Sequence, residues 1–193
     1  FRSAAAVHLA QELDKIAGDK MIIGDLNSYA SEDAMLVLTE IPAGKEVQTA
    51  RDTFIGNRPQ FGGASQGIKL SQGYGYINAV KKADTIHERE TSYSYIFDDY
   101  MGSLDHALVS KGMEDRIKDA IDWNINSIIS AYYDYSSAFK NNPTRYHQTK
   151  TPYRSSDHDP VVVSLAYKYF EQDGNRRVQL PVISSRVELP FVY

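Results

Sequence analysis

Three short apolar runs in this chain each have a carboxylate or imidazole side chain within two residues of one end. The runs are Met21–Ile23, Ala107–Val109 and Val161–Val163. Short apolar runs bounded by polar residues predict buried strands, and the polar residues then lie where those strands end. Strand ends join a rigid scaffold to its loops, and functional sites are commonly built there. The chain is thereby constrained to a fold that buries three strands and presents polar groups at their ends.

Size and composition are those of an ordinary globular protein. The 193 residues suit one domain, since domains usually have roughly 100–200 residues. No apolar run approaches the roughly 20 residues that span a bilayer, so we expect no membrane segment. The absence of cysteine excludes disulfides and thiolate zinc sites. A net charge of −4 is not the basic balance of a protein that holds nucleic acid by charge alone, but it suits an enzyme whose metal ions supply positive charge.

Helical and strand patterns alternate along the chain. Apolar residues at helical spacing predict a helix over residues 2–17, and acidic residues after Ser31 predict a second helix that stops before Pro42. Residues 43–75 are predicted mostly as loop. Further along we expect a strand over Thr91–Phe97, a turn over Asp98–Ser103, its antiparallel partner over Leu104–Ser110, a helix over residues 114–122, a strand over Val161–Tyr167 and no firm element from Lys168 onward. This order predicts an α+β fold.

Asp25 and Asn27 follow the first apolar run. Residues two apart on an extended strand point the same way, so both side chains would enter one pocket. The carboxylate can hold a proton or a metal-bound water, and the amide can orient a nucleophile or a phosphate oxygen. The alternative is that the two residues simply open the turn before the second helix.

The third apolar run is preceded by Asp157, His158 and Asp159. His158 suits a general base or a phosphate-binding cation, because histidine is the side-chain type that ordinarily changes its charge near neutral pH. Asp157 could bind a hard divalent cation through oxygen. Asp159 precedes Pro160 and is expected only to shape the turn. The alternative is an ordinary polar loop that enters a buried strand.

Asp105 begins the second apolar stretch and could fix the tautomer of His158, as a histidine base usually requires. The alternative is a strand-end carboxylate that accepts backbone amides. His106 should face the other side of the strand, and we do not include it in the site.

These three stretches carry a resemblance when taken in order. They are Gly24-Asp25-Leu26-Asn27, Ser103-Leu104-Asp105-His106-Ala107-Leu108 and Ser156-Asp157-His158-Asp159-Pro160-Val161. Together they resemble the C-terminal half of the endonuclease/exonuclease/phosphatase superfamily, to which deoxyribonuclease I, exonuclease III and the abasic-site endonucleases belong. The sequence around these stretches is similar to that of the large secreted endonucleases of bacteria. The resemblance covers about residues 2–167.

The resemblance implies half of a four-layer α/β/β/α sandwich with a mixed, mainly antiparallel sheet and flanking helices. Residues 1–167 would be the C-terminal half of that domain, and residues 168–193 a tail or linker. The family's first half, with its principal glutamate metal ligand, does not precede Phe1 here. We therefore expect a fragment whose natural partner is the missing half, and we expect little activity from it alone.

A metal-dependent phosphodiesterase is the activity that the resemblance implies. The match to Asp25 activates the attacking water or protonates the leaving group, and Asn27 positions it. Asp105 orients His158, which acts at the phosphate. Asp25, Asn27 and Asp157 would hold Mg²⁺, or Mn²⁺ or Ca²⁺ in its place. Whether Asp25 or His158 is the base stays open.

The implied substrate is DNA or RNA, and the implied location is extracellular. Arg145 and Arg154 precede the histidine motif and could contact phosphates. Two alternatives stand beside the endonuclease. One is a phosphomonoesterase or sphingomyelinase-like hydrolase of the same superfamily, and the other is a non-catalytic half-domain used for binding.

Overall fold

A computed structural model of the chain describes residues 1–61, 67–90, 92–130, 132–134, 146–147, 151–166, 170–173 and 176–179. The helices are α1 (Arg2–Asp14), α2 (Asp33–Leu38) and α3 (Ala79–Ile86), with a 3-10 helix over Lys111–Arg116. The strands are β1 (Met21–Asp25), β2 (Val47–Gln48), β3 (Phe54–Ile55), β4 (Arg58–Pro59), β5 (Lys69–Leu70), β6 (Ile77–Asn78), β7 (Tyr95–Phe97), β8 (Tyr100–Gly102), β9 (Asp105–Val109), β10 (Ile117–Asp122), β11 (Tyr133–Asp134), β12 (Tyr146–His147), β13 (Val161–Leu165), β14 (Phe170–Asp173) and β15 (Arg176–Gln179). Helices thus accompany several small, mostly antiparallel sheets, and the predicted α+β class is confirmed.

Strand β9 is the centre of the main sheet. It lies between β1 and β6 and pairs antiparallel with both. The register with β1 runs from Met21 opposite Val109 to Asp25 opposite Asp105. Two of the three polar motifs are therefore brought to the same end of the sheet by backbone pairing alone.

The two faces of this sheet belong to two hydrophobic clusters. Ile22 and Leu108 pack with α1 and α2 on one face. Ala107 and Val109 pack on the other face with α3, β10 and β13. A strand covered on both faces has a nearly continuous apolar sequence, which explains the run that follows Asp105.

The first two helices agree with their predictions except at their ends. Helix α1 ends at Asp14, three residues before the predicted end, and α2 begins at Asp33. Helix α3 was not predicted from the sequence. Asn78 caps it, because its side chain accepts a hydrogen bond from the Lys81 amide at 3.1 Å, a contact that typically stabilises a helix by about 1 kcal/mol.

The predicted helix over residues 114–122 is wrong. The 3-10 helix ends at Arg116, and Ile117–Asp122 is a strand that pairs antiparallel with β13. A register shift between Ile117 and Asp119 places Ile117 and Ala120, three residues apart, in the same core cluster. A bulge thus produces the spacing that is typical of a helix.

The predicted pairing of the strand over Thr91–Phe97 with Leu104–Ser110 is also wrong. Strand β7 pairs with β8 through a two-residue turn at Asp98 and Asp99, whose φ angles are +49° and +64°. Two positive φ values are typical of the tight hairpin turn that matches strand twist. This short hairpin leaves β9 to pair with β1 and β6 instead.

Residues from Lys168 onward contain more regular structure than predicted, since β14 and β15 pair antiparallel. The predicted domain boundary at residues 167–168 lies outside the described residues. Within the described ranges, none of the helices combines the length and the apolar character needed to cross a membrane.

Candidate active site

The predicted contact between Asp105 and His158 is present. His158 Nδ1 donates a hydrogen bond to Asp105 Oδ2 at 2.6 Å, and the two side chains are 22% and 14% exposed. Asp105 begins β9, and His158 precedes β13, which packs beside β9. A carboxylate at Nδ1 places the ring proton there, so the lone pair of a neutral imidazole lies on Nε2.

Asp25 completes a compact group with this pair. Its backbone lies directly opposite Asp105, and one ligand atom from each of Asp25, Asp105 and His158 lies within 4.8 Å of the other two. Two carboxylates at such a distance repel each other unless a positive charge lies near them. Their oxygens suit a hard cation such as Mg²⁺, so the donor set fits the metal that the resemblance implies.

Asn27 meets Asp25, but not through the predicted strand spacing. Strand β1 ends at Asp25, and Asn27 has a φ of +49° in the left-handed region. The Asn27 backbone amide donates to Asp25 Oδ1 at 2.7 Å, and its side-chain amide donates to Oδ2 at 3.1 Å. Both oxygens of this exposed carboxylate are thereby oriented by one residue.

Of the other three predicted site residues, the two that the structure describes, Asp157 and Arg154, are not in this group. Asp157 is half-buried beside His158 but is not one of the three clustered ligands, and its role in metal binding stays a prediction. The Arg154 guanidinium bonds the carbonyl oxygens of Tyr133 and Asn126, each at 3.3 Å. Arg145 lies outside the described residues.

Asp159 does far more than shape a turn. It is 1% exposed, and its carboxylate accepts hydrogen bonds from the backbone amides of Asn126 and Ser127 at 2.7 and 3.0 Å and from Asn124 Nδ2 at 2.8 Å. Asn126 in turn donates from Nδ2 to the His158 carbonyl at 2.7 Å. Asp159 therefore anchors the backbone that carries His158. The Asp-Pro sequence contains no signal for partners that lie more than thirty residues away.

Ser94 and Tyr95 were also missed by the sequence analysis. Ser94 is fully buried, and its hydroxyl donates to Asp105 Oδ2 at 2.8 Å. The Tyr95 ring stacks on the His158 imidazole with a centroid distance of 4.5 Å and an interplanar angle of 29°. Alternating tyrosines indicated only a strand, and the signal for these contacts lies in the tertiary packing.

His106 faces away from the site, as predicted. It is 1% exposed, and its Nε2 donates to the Ser28 carbonyl at 2.7 Å. Burial lowers the pKa of the His106 imidazole, although the bond to Ser28 and the charges of Asp105 and Asp25 oppose this effect. His106 is therefore part of the core, where burial favours its neutral form.

A half-open cavity of about 630 Å³ lies beside Asp105, and Asp84, Asp105 and Asp122 are among the residues that line it. Asp122 is 6% exposed and accepts a bond from Ser103 Oγ at 2.9 Å, but its Oδ1 has no hydrogen-bond partner among the described residues. Burial raises the pKa of Asp122 to about 6; the Ser103 bond opposes this effect, and nearby carboxylates, Asp105 foremost, add to it.

Comparison of the chain with protein-family models, curated proteins and solved structures found no significant match. Function is therefore inferred from the geometry of the site itself.

Proposed function

We propose that this chain carries the His158 side of a metal-dependent phosphodiesterase site, that of a nucleic-acid endonuclease of the endonuclease/exonuclease/phosphatase superfamily. The observation that carries the proposal is the 2.6 Å bond between Asp105 and His158, with Asp25 directly across the sheet. Two carboxylates from separate segments repel each other, so their convergence with an imidazole is not expected of an ordinary polar loop.

His158 is one of two groups in the proposed site that can accept or donate a proton. With its proton held at Nδ1 by Asp105, the imidazole can accept a proton at Nε2 or, once charged, stabilise the phosphate. Asp105 stabilises the charged imidazolium through the same bond. Asp105 thus orients the imidazole, and His158 acts at the phosphate.

Asp25 acts from the opposite strand. Its two oxygens are oriented by the amides of Asn27, so the carboxylate presents a defined direction to an incoming water or leaving group. Asp25 activates the attacking water or protonates the leaving group, and the choice between Asp25 and His158 as the base stays open.

A bound Mg²⁺, or Mn²⁺ or Ca²⁺ in its place, would neutralise phosphate charge as a Lewis acid. Asp25 offers oxygen ligands for it, and we place Asn27 and Asp157 near it as further ligands. An oxygen-rich set argues against a closed zinc site. This chain's own contribution is the Asp25 carboxylate, which has an oxygen within 4.8 Å of ligand atoms of Asp105 and His158.

The finer fold assignment belongs to the same proposal. The chain would form half of a four-layer sandwich, and the complementary half, with a glutamate ligand, would cover the face of β1 that carries Asp25. Ile23 lies on that face, and 55% of it is exposed. DNA or RNA is the proposed substrate, and an extracellular location is proposed with it.

A substrate panel tests the proposal. The chain, alone and joined to a superfamily N-terminal half, is assayed on supercoiled plasmid, RNA, p-nitrophenyl phosphate and sphingomyelin with Mg²⁺ or EDTA. We expect EDTA-sensitive nicking of the plasmid or cleavage of RNA that is lost in His158→Ala and kept in His87→Ala, a histidine outside the site that bonds the Lys118 carbonyl.

Two other outcomes would replace the proposal. Hydrolysis of the monoester or of sphingomyelin without nucleic-acid cleavage would identify a different member of the superfamily. Tight binding of nucleic acid without any turnover by the joined form would identify a binding half-domain.

A further inference from the structure

We infer that Ser94 is a positioning residue of the proposed site, which sets the orientation of Asp105 and through it that of His158. This inference depends on the proposed function only for its catalytic consequence, because the contacts of Ser94 stand by themselves. Ser94 has 0% exposure and lies just before β7, eleven residues from Asp105.

The direction of the Ser94 hydroxyl proton follows from its neighbours. The backbone amides of Leu104 and Asp105 both donate to Ser94 Oγ, each at 3.1 Å. A hydroxyl has two acceptor lone pairs and one donor, so these amides use both lone pairs. The remaining proton points to Asp105 Oδ2 at 2.8 Å. The hydroxyl therefore fixes the carboxylate rotamer rather than merely contacting it.

Ser94 and His158 share one oxygen. Asp105 Oδ2 accepts from both Ser94 Oγ and His158 Nδ1, so it is held between two donors at 2.8 and 2.6 Å. Rotation of the carboxylate would break both bonds at once. Hydrogen bonds to a charged oxygen are the strong ones, which makes this arrangement stiff.

The backbone of Ser94 also bonds the segment that carries His158. The Asp159 amide donates to the Ser94 carbonyl at 2.7 Å, and the Ser94 amide donates to the Gly102 carbonyl at 3.2 Å. Ser94 thus joins the β7–β8 hairpin, the start of β9 and the segment that carries His158. The neighbouring Tyr95 ring lies against the imidazole and limits its rotation.

The inference predicts a spectroscopic signature. The Nδ1–H proton of His158, in a short bond to a carboxylate, should give a resolved low-field proton resonance, assigned by its absence from His158→Ala. In Ser94→Ala we expect this resonance to shift or broaden beyond detection, and in Ser94→Thr, which keeps the hydroxyl, to be retained. Ser94→Cys, nearly the same size with a weak donor, serves if the Ala or Thr variant does not fold.

Ser110→Ala is the matched control. Ser110 Oγ accepts a backbone amide, that of Lys20, at 3.0 Å, but at the far end of β9 from Asp105. Ser110→Ala therefore also leaves an amide without its acceptor, and it should leave the resonance unchanged. A wild-type resonance in Ser94→Ala or Ser94→Cys, or an equal loss in Ser110→Ala, would overturn the inference.

Kinetics separate this inference from the proposed function. On the substrate that the panel identifies, Ser94→Ala should lower kcat roughly 10- to 100-fold, as is typical of partners that orient a reacting or ligating side chain, with little change in KM. If Ser94→Ala loses the resonance but the wild type has no activity on any substrate of the panel, only the proposed function is contradicted. Normal kcat in Ser94→Ala of an active enzyme would contradict the positioning role alone.

Discussion

His106 and His158 both lie close to Asp105, and they differ in every property that matters for function. His106 is its neighbour in sequence, yet it points into the core and bonds the Ser28 carbonyl. His158 is 53 residues away, yet it bonds the Asp105 carboxylate and keeps 22% of its side chain exposed. The pleat of β9 separates two adjacent residues onto opposite faces, while packing of β13 beside β9 joins two distant ones. Contact with Asp105 through space, and not along the chain, distinguishes the histidine that we propose as the reacting group.

The largest expected effect is that of His158→Ala on turnover. Removal of a general acid or base typically costs roughly 10²- to 10⁴-fold in rate. We expect such a loss in the cleavage assay of the active form, with little change in the midpoint of thermal unfolding. Near-normal cleavage by His158→Ala would show that a group other than His158 acts as the general acid or base.

Asp105→Asn should cost nearly as much activity, because an amide can no longer hold the His158 proton at Nδ1. Residues that act as a unit lose activity non-additively, so the double variant should be scarcely worse than His158→Ala alone. Additive losses in a double-mutant cycle of cleavage rates would show that the two residues act separately.

His106→Ala should show the opposite profile. It leaves the buried Ser28 carbonyl without its donor, which costs about 1–3 kcal/mol of unfolding free energy. Chemical denaturation should detect this loss, while the rate per folded molecule stays within a few-fold of wild type. A catalytic defect equal to that of His158→Ala in folded protein would refute the assignment of both histidines.

The pH dependence of stability sharpens the same contrast. Because burial lowers the pKa of His106, the unfolded chain binds its proton more readily than the folded chain does. The contribution of His106 to the unfolding free energy should therefore decrease as the pH falls below the pKa of histidine in the unfolded chain, which is about 6.5. Denaturation curves of wild type and His106→Asn at pH 5.5 and 7.5 should show this fall in the wild type only.

The smallest expected effect concerns Asp122, a buried carboxylate for which the described residues provide no ion pair. Its pKa rises to about 6 on folding, so the unfolded chain ionises first as pH increases. Wild-type stability relative to Asp122→Asn should decrease between about pH 4 and pH 6 and then level off, by about 1–2 kcal/mol once solvent screening in the open cavity is considered. Parallel stability curves for the two proteins would show that Asp122 has another partner.

The strand ends illustrate what could be predicted and why. Asp25 and Asp105 each lie at the end of an apolar run, and antiparallel pairing of neighbouring strands brings such ends together, so the proximity of these two carboxylates was predictable. Residues 114–122 illustrate the failure, because a bulge in β10 gives its buried positions a helical spacing. Local pattern cannot distinguish a bulged strand from a helix when both place Ile117 and Ala120 in the core.

The sequence by itself determined the strand ends that carry Asp25 and Asp105 and the α+β class, because polar residues beside apolar runs are local signals. It did not determine burial: of the three runs predicted to be buried strands, only Ala107–Val109 is buried throughout, whereas Ile23 is 55% and Val162 45% exposed. Only the tertiary structure decided that Ser94, Tyr95 and Asp159 surround the Asp105–His158 pair. These contacts join segments separated by up to 65 positions, and their hydrogen bonds depend on angles and distances that no local pattern encodes. A buried hydroxyl or carboxylate takes whichever partners the packed chain brings to it, since leaving it without them costs free energy.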